Sequence, residues 1–447
     1  MTAADWRGHP VRGTFVHAPE AGAIEVLDDA ILLIGSDGGI EIVARAGETE
    51  HAALAARSDL IALAPDRIVI PGFVDLHVHA PQYPQLGAAL DVPLEVWLGK
   101  YTFPLEASYA DLDLARERYE VLVADLLANG TTTALYFATV HRAATEALAE
   151  ICLRQGQRAL VGKVVMDDPD ACPDYYRDAS AAEAVSETRA FIAHVRAMPG
   201  NDRVLPVITP RFIPSCTDEA LAGLGQLAAE CDCHVQTHCS ESDWAHGYAI
   251  DRFGKTDTAA LDGFGLLRRK TILAHSVFLT DADMATVKAR GAGVAHCALS
   301  NMYFANAVFP LRRALERGLH VGLGTDISGG PGGSMLEACR ATAQASRMLE
   351  DGVNPDLPAA ERGVPHSRID MLTAFHLATA GGGVALDLPV GLFRPGYQCD
   401  AVVIDPGVAQ GTVRLFAAKA TESLEKILYT ASRPNLAAVY VSGAQVA

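Results

Sequence analysis

Phe73-Val74-Asp75-Leu76-His77-Val78-His79 is the stretch on which the reading of this 447-residue chain turns. Its apolar run has the alternation of a strand, with Asp75, His77 and His79 on one face and Leu76 and Val78 on the other. Two imidazoles therefore leave one strand end together, a two-pronged grip for a metal ion. Alone this pattern carries little weight, because two histidines two residues apart are common by chance. The other apolar runs change that.

Six further runs follow the first: Thr132–Tyr136, Ala159–Val165, Val204–Ile208, His234–His238, Thr271–His275 and His320–Gly324. From about Pro71 to about Leu386 they alternate with amphipathic helical stretches, the pattern of parallel strands joined by crossover helices. A barrel is the first expectation and a doubly wound sheet the second. The second is weakened because no G-x-G-x-x-G follows the first central strand. Three runs end in a metal-ligand or acid/base group, at His238, at His275 and, just past Gly324, at Asp326. Strand C-termini converge on one mouth in a barrel, so these sequence-distant residues become neighbours.

Both chain ends read as β. Ala30–Ile34 and Ile40–Val43 flank Gly35-Ser36-Asp37-Gly38-Gly39, a hairpin signal, and Asp400–Ile404 and Ala437–Val441 supply similar material before the Ser442-Gly443 turn. Half the residues are hydrophobic and 20% are charged, as in a soluble globular protein, and no window approaches the roughly 18 apolar residues of a membrane span. Met1–Arg12 has no apolar core of a secretory signal, so a cytoplasmic address is expected. The nine scattered cysteines are expected to be reduced. A net charge of −18 opposes a nucleic-acid partner but not a small neutral ligand. Residues 351–368, broken by glycines and prolines, are expected to be exposed or mobile.

His-x-His, a later His, a further His and a final Asp, each after an apolar strand, resemble the amidohydrolase superfamily. That resemblance implies a distorted (β/α)8 TIM-like barrel over 71–386 and a small β-sandwich domain formed by 1–70 with 387–447. Within the superfamily, Pro71–Tyr83, Lys100–Pro104, Asn129–Thr133, Tyr136–Thr139, Thr209–Phe212 and Leu323–Gly330 are similar to guanine deaminases. Ala298-Leu299-Ser300-Asn301 departs from a family tendency to Pro-Asn-Ser-Asn, and Pro331-Gly332-Gly333 replaces a bulkier segment.

The resemblance implies one divalent ion held by His77, His79, His238 and Asp326, zinc before iron(II), with hydrolysis by a water activated there. Four protein ligands are one more than catalytic zinc usually has. Glu241, three residues after His238, would shuttle protons, and His275 would orient the water or stabilise developing charge. Gln82 and Arg211 would contact free guanine through amide and guanidinium, and Phe212 would wall the ring. A homodimer is the family expectation. Cys231-Asp232-Cys233-His234 lacks a second ligand pair and is read as packing. His141, His246, His296, His320 and His376 are assigned structural or surface places, and Gly381-Gly382-Gly383 a helix-end turn. The competing readings are another amidohydrolase deaminase, acting on cytosine, a pterin, an oxidised purine or a triazine, and a barrel kept only as an inactive scaffold.

Overall fold

A computed structural model describes residues 5–305, 307–416 and 420–447. Eight parallel strands run in chain order around one sheet: Phe73–His79, Thr131–Phe137, Arg158–Val165, Val204–Pro210, His234–Cys239, Thr271–His275, Gly293–His296 and His320–Leu323. The seventh, Gly293–His296, is too short and too poor in β-branched residues to stand out in the sequence. Past the eighth strand the chain bonds back to the first, with Asp326 N donating to His77 O (2.8 Å) and His79 N to Ile327 O (3.0 Å). The buried Asp75 carboxylate adds a side-chain clasp by accepting from Thr325 N (3.0 Å) and Thr325 Oγ1 (2.6 Å). The barrel thus closes at the rim where its strands end.

Alternation sorts the side chains as expected. Val78, Ala134, Tyr136, Ala159 and Val161 share a buried cluster with Leu122, Val123 and Leu126 of the helix Leu112–Ala128 and with Leu148 and Ile151 of the helix Arg142–Gln155. Burying such faces at about 25 cal/mol per Å² is the main force holding helices to the barrel.

Both chain ends meet in a second, mixed sheet. Pro10–Glu20 pairs antiparallel with Ala23–Ile34 and parallel with Ile68–Pro71, which joins Ala401–Ile404 and then Leu436–Val441. The expected hairpin is present, with Ile34 opposite Ile40. Trp6 stacks on Tyr440, ring centroids 3.8 Å apart. The two sheets are tied by a buried ion pair, Arg158 Nε to Asp400 Oδ2 at 3.1 Å. At the entry to the barrel a Cβ on Gly72 would meet Thr132 Oγ1 at 2.1 Å, so only glycine allows that approach.

One expectation is corrected. Gly381-Gly382-Gly383 is no helix-end turn but runs inside helical backbone from Met371 to Leu386. Missing side chains let this helix press on the barrel, where a Cβ on Gly382 would meet Val74 at 2.8 Å. The segment 351–368 is mostly exposed, and Glu350 anchors its end by accepting from Ser367 N and Arg368 N.

Candidate active site

The strand ends bring His77, His79, His238, Glu241, His275 and Asp326 into one buried cluster. Two of them, His275 and Asp326, and the adjacent Ser240 and Ser276 sit where the backbone leaves ordinary strand geometry, with φ between +48° and +68°. Such left-handed residues cost roughly 1–3 kcal/mol each and persist where the surrounding fold over-determines them, typically at functional sites. At Gly324 a Cβ would meet His77 Cβ at 2.8 Å and Cys297 Sγ at 2.9 Å, so the strand that delivers Asp326 packs against the one that delivers His77 only because that position is bare.

The donor atoms face one another. His79 Nε2 and His238 Nε2 are 2.9 Å apart, and Asp326 Oδ1 lies 3.2 Å from His77 Nε2 and 3.7 Å from His79 Nε2. His77 Nε2 is buried with no hydrogen-bond partner. Donor atoms of His77, His79 and His238 lie within 4.8 Å of one another, as do those of His77, His275 and Asp326. Imidazole with carboxylate is a donor set that suits a divalent ion, so the residues present fit the metal that the sequence implies. Burial pushes the His79 and His238 imidazoles well below their usual range, toward the neutral form that ligates. Burial works to raise the Asp326 carboxyl, yet the facing His77 and His275 hold it well below the carboxylate range.

The supports of these groups are set by backbone and side-chain acceptors. His238 Nδ1–H donates to Arg211 O (2.6 Å), which leaves Nε2 for the cluster. His275 Nδ1–H donates to Asn301 Oδ1 (2.9 Å), which turns its Nε2 toward Glu241 Oε1 (3.6 Å) and Asp326 Oδ2 (3.9 Å). Burial pushes the Glu241 carboxyl up, with His275 opposing. A raised carboxyl beside an imidazole is suited to holding and releasing a proton.

A pocket opens onto this cluster. His79, His238, Glu241 and Asp326 line it on one side, with Gln82, Arg211 and Phe212 beside them and Leu94, Trp97, Leu98 and Phe304 completing an apolar wall. Trp97 and Phe304 rings are in contact, centroids 5.2 Å apart. Every site residue anticipated from the sequence is therefore in or directly behind one pocket. Glu106, Asn301, Ser300, Trp97 and Phe304 were not anticipated, although Glu106 follows the Lys100–Pro104 block by two residues and Ser300-Asn301 survive in the departed run. Cys231 and Cys233 stand apart from the site: Arg196 donates to Cys231 O (2.6 Å) and Cys233 Sγ (3.3 Å). His234 and His376 bond backbone carbonyls, and His246 bonds Asp257.

A deep barrel whose strand ends gather imidazoles and a carboxylate under a half-apolar pocket defines a metal-assisted hydrolase. The model of the amidohydrolase family matches residues 68–446, and the chain belongs to that family. It is 36% identical over 444 residues to a probable guanine deaminase of Schizosaccharomyces pombe, covering 96% of this chain and 82% of that protein. Guanine deaminase of Homo sapiens is 35% identical over 450 residues, covering 98% and 96%. Among solved structures, guanine deaminase from C. acetobutylicum with bound guanine in its active site superposes with a TM-score of 0.87 at 30% identity, covering 98% of this chain and 99% of that one. Among the described residues no helix is long and apolar enough to cross a membrane.

Proposed function

We propose that this protein hydrolyses guanine to xanthine and ammonia. The observation that carries it is one pocket lined at once by His79, His238, Glu241 and Asp326 and by Gln82, Arg211 and Phe212. Full-length likeness to guanine deaminases supports the choice of substrate. An inactive scaffold has no need of so many polar groups buried together, each of which costs free energy unless paired.

His77, His79, His238 and Asp326 would hold one divalent ion, zinc by preference for this donor set, whose part is to activate water at neutral pH. The remaining work falls to the chain. Glu241 takes one proton from the attacking water and passes it to a ring nitrogen as the C–O bond forms. It then takes the second from the new hydroxyl and passes it to the amine, which leaves as ammonia as the C–N bond breaks and the carbonyl forms. His275, held by Asn301, keeps its Nε2 on the same side and stabilises charge as it develops. Arg211 donates to the ring carbonyl, Gln82 meets the adjacent ring edge and Phe212 covers a face. Adenine would set an amino group against Arg211, donor against donor, and such unpaired pockets discriminate by as much as about 10⁴-fold. The domain division near residues 71 and 386, a homodimer and a cytoplasmic address complete the proposal, the last supported by nine unpaired thiols.

The test is ammonia release from a panel of guanine, adenine, cytosine, a pterin, 8-oxoguanine and a triazine, with metal analysis of the same sample. Guanine turned over best with about one ion per chain is the expected result. A preference for another ring would leave only the family assignment, and no turnover of any would return the barrel to a scaffold.

A further inference from the structure

Glu106 sits on the short helix Phe103–Ala107, fully buried, and does not itself line the pocket. Its carboxylate is saturated by donors. Oε1 accepts from Gln82 Nε2 (2.7 Å) and Arg211 Nη2 (3.1 Å), while Oε2 accepts from Arg211 Nη1 (2.5 Å) and Tyr176 OH (2.7 Å). Phe103, three residues earlier on that helix, lies 5.0 Å from the Arg211 guanidinium. One turn of helix therefore supplies both a charge partner and an aromatic face to Arg211.

The consequence for Gln82 is stronger. An amide can present either its oxygen or its nitrogen, and the partners on the two sides decide which. Gln82 Nε2 is drawn to Glu106, and Gln82 Oε1 accepts from Ser328 N (3.1 Å). Turning the amide over would set oxygen against the Glu106 carboxylate and nitrogen against the Ser328 N–H, two like-with-like contacts inside buried protein. Arg211 is likewise held by a planar fork on Glu106, with Nη1 also against Met166 Sδ (3.7 Å), which fixes the plane of the guanidinium.

Resting on the guanine reading above, we infer that Glu106 is a specificity-determining positioning residue: by orienting the Gln82 amide and the Arg211 guanidinium, it makes the pocket select a ring that carries a carbonyl beside an N–H. It acts through those two side chains and touches no substrate.

Two non-reacting rings separate this role from general support. Hypoxanthine keeps the carbonyl and adjacent N–H of guanine, and unsubstituted purine lacks both. Calorimetric titration of the metal-loaded protein as purified gives a Kd for each, and their ratio is measured within one sample, so a partly unfolded fraction cancels. The parent binds hypoxanthine more tightly than purine. In Glu106→Gln the ratio narrows by about tenfold to a hundredfold, the scale of hydrogen bonds to a charged group, with metal content unchanged. Glu106→Asp, which keeps the charge on a shorter arm, retains part of the ratio. Equal weakening of both rings, an unchanged ratio, or a parent without preference would each overturn the inference. Failure of the parent to release ammonia from guanine would instead overturn the functional reading beneath it.

Discussion

The proposed metal end of the site and its proposed substrate wall are anchored in different ways. His77, His79, His238 and Asp326 stand on or just past barrel strands, and backbone groups aim them: His238 Nδ1–H bonds Arg211 O, and Asp326 N bonds His77 O. Gln82, Trp97 and Phe304 come from connections between strands, Arg211 directly follows the strand Val204–Pro210, and the side chains of Gln82 and Arg211 share one buried partner, Glu106. A ladder of backbone bonds survives most substitutions of its neighbours, whereas two side chains that share one carboxylate both lose a partner when it changes. Chemistry and choice of substrate should therefore fail separately.

The largest effect is expected at the metal end. His77→Ala or Asp326→Ala should reduce ammonia release to background and lose the ion together, because the remaining donors no longer close around it. Full metal occupancy with undiminished turnover in Asp326→Ala would remove that residue from the cluster.

Glu241→Gln should break chemistry without breaking the ion site. Turnover is expected to fall at least about 10²-fold, the scale of a positioned general acid/base, while metal content stays near that of the parent. Turnover within a few-fold of the parent would make Glu241 a bystander.

Arg211→Met probes the wall. It should lower kcat/KM for guanine by about tenfold to a hundredfold, mainly through KM, at unchanged metal content. Because it also leaves buried Glu106 without its cation, a stability loss of about 3–5 kcal/mol is expected in denaturant titrations. Loss of the ion in this variant would show that the two regions are not separable.

The smallest effect concerns His296, which belongs to neither region. It is fully buried against Phe309, and burial pushes its imidazole down to about 3. Above pH 6.5 both folded and unfolded forms are neutral there, so it contributes nothing. As pH falls from about 6.5 toward 3 the unfolded chain gains a proton that the folded one refuses, and stability drops by up to about 1.4 kcal/mol per pH unit. His296→Leu should flatten that slope in denaturation midpoints measured between pH 7 and 4; an unchanged slope would place the acid sensitivity elsewhere.

Much of this molecule is legible along the chain because strand alternation and strand ends are local. Period-two patterning alone puts His77 and His79 on one face, and a barrel carries His238, His275 and Asp326 to the same rim, so the candidate cluster needs only the order of strands. The glycine run at 381–383 misled for the opposite reason: its use depends on Val74, which lies some three hundred residues earlier. Glu106 meets Arg211 across 105 residues, His275 meets Asn301 across 26 and Asp75 meets Thr325 across 250. No periodicity encodes such pairs, since a connection's path is decided by what it packs against. The sequence by itself determined the barrel and the convergent imidazoles and carboxylates, and its resemblance to guanine deaminases supplied the candidate contacts Gln82 and Arg211. Only the tertiary structure decided which way those two contacts face, because a buried carboxylate orients whatever donors the folded chain brings within reach of its oxygens.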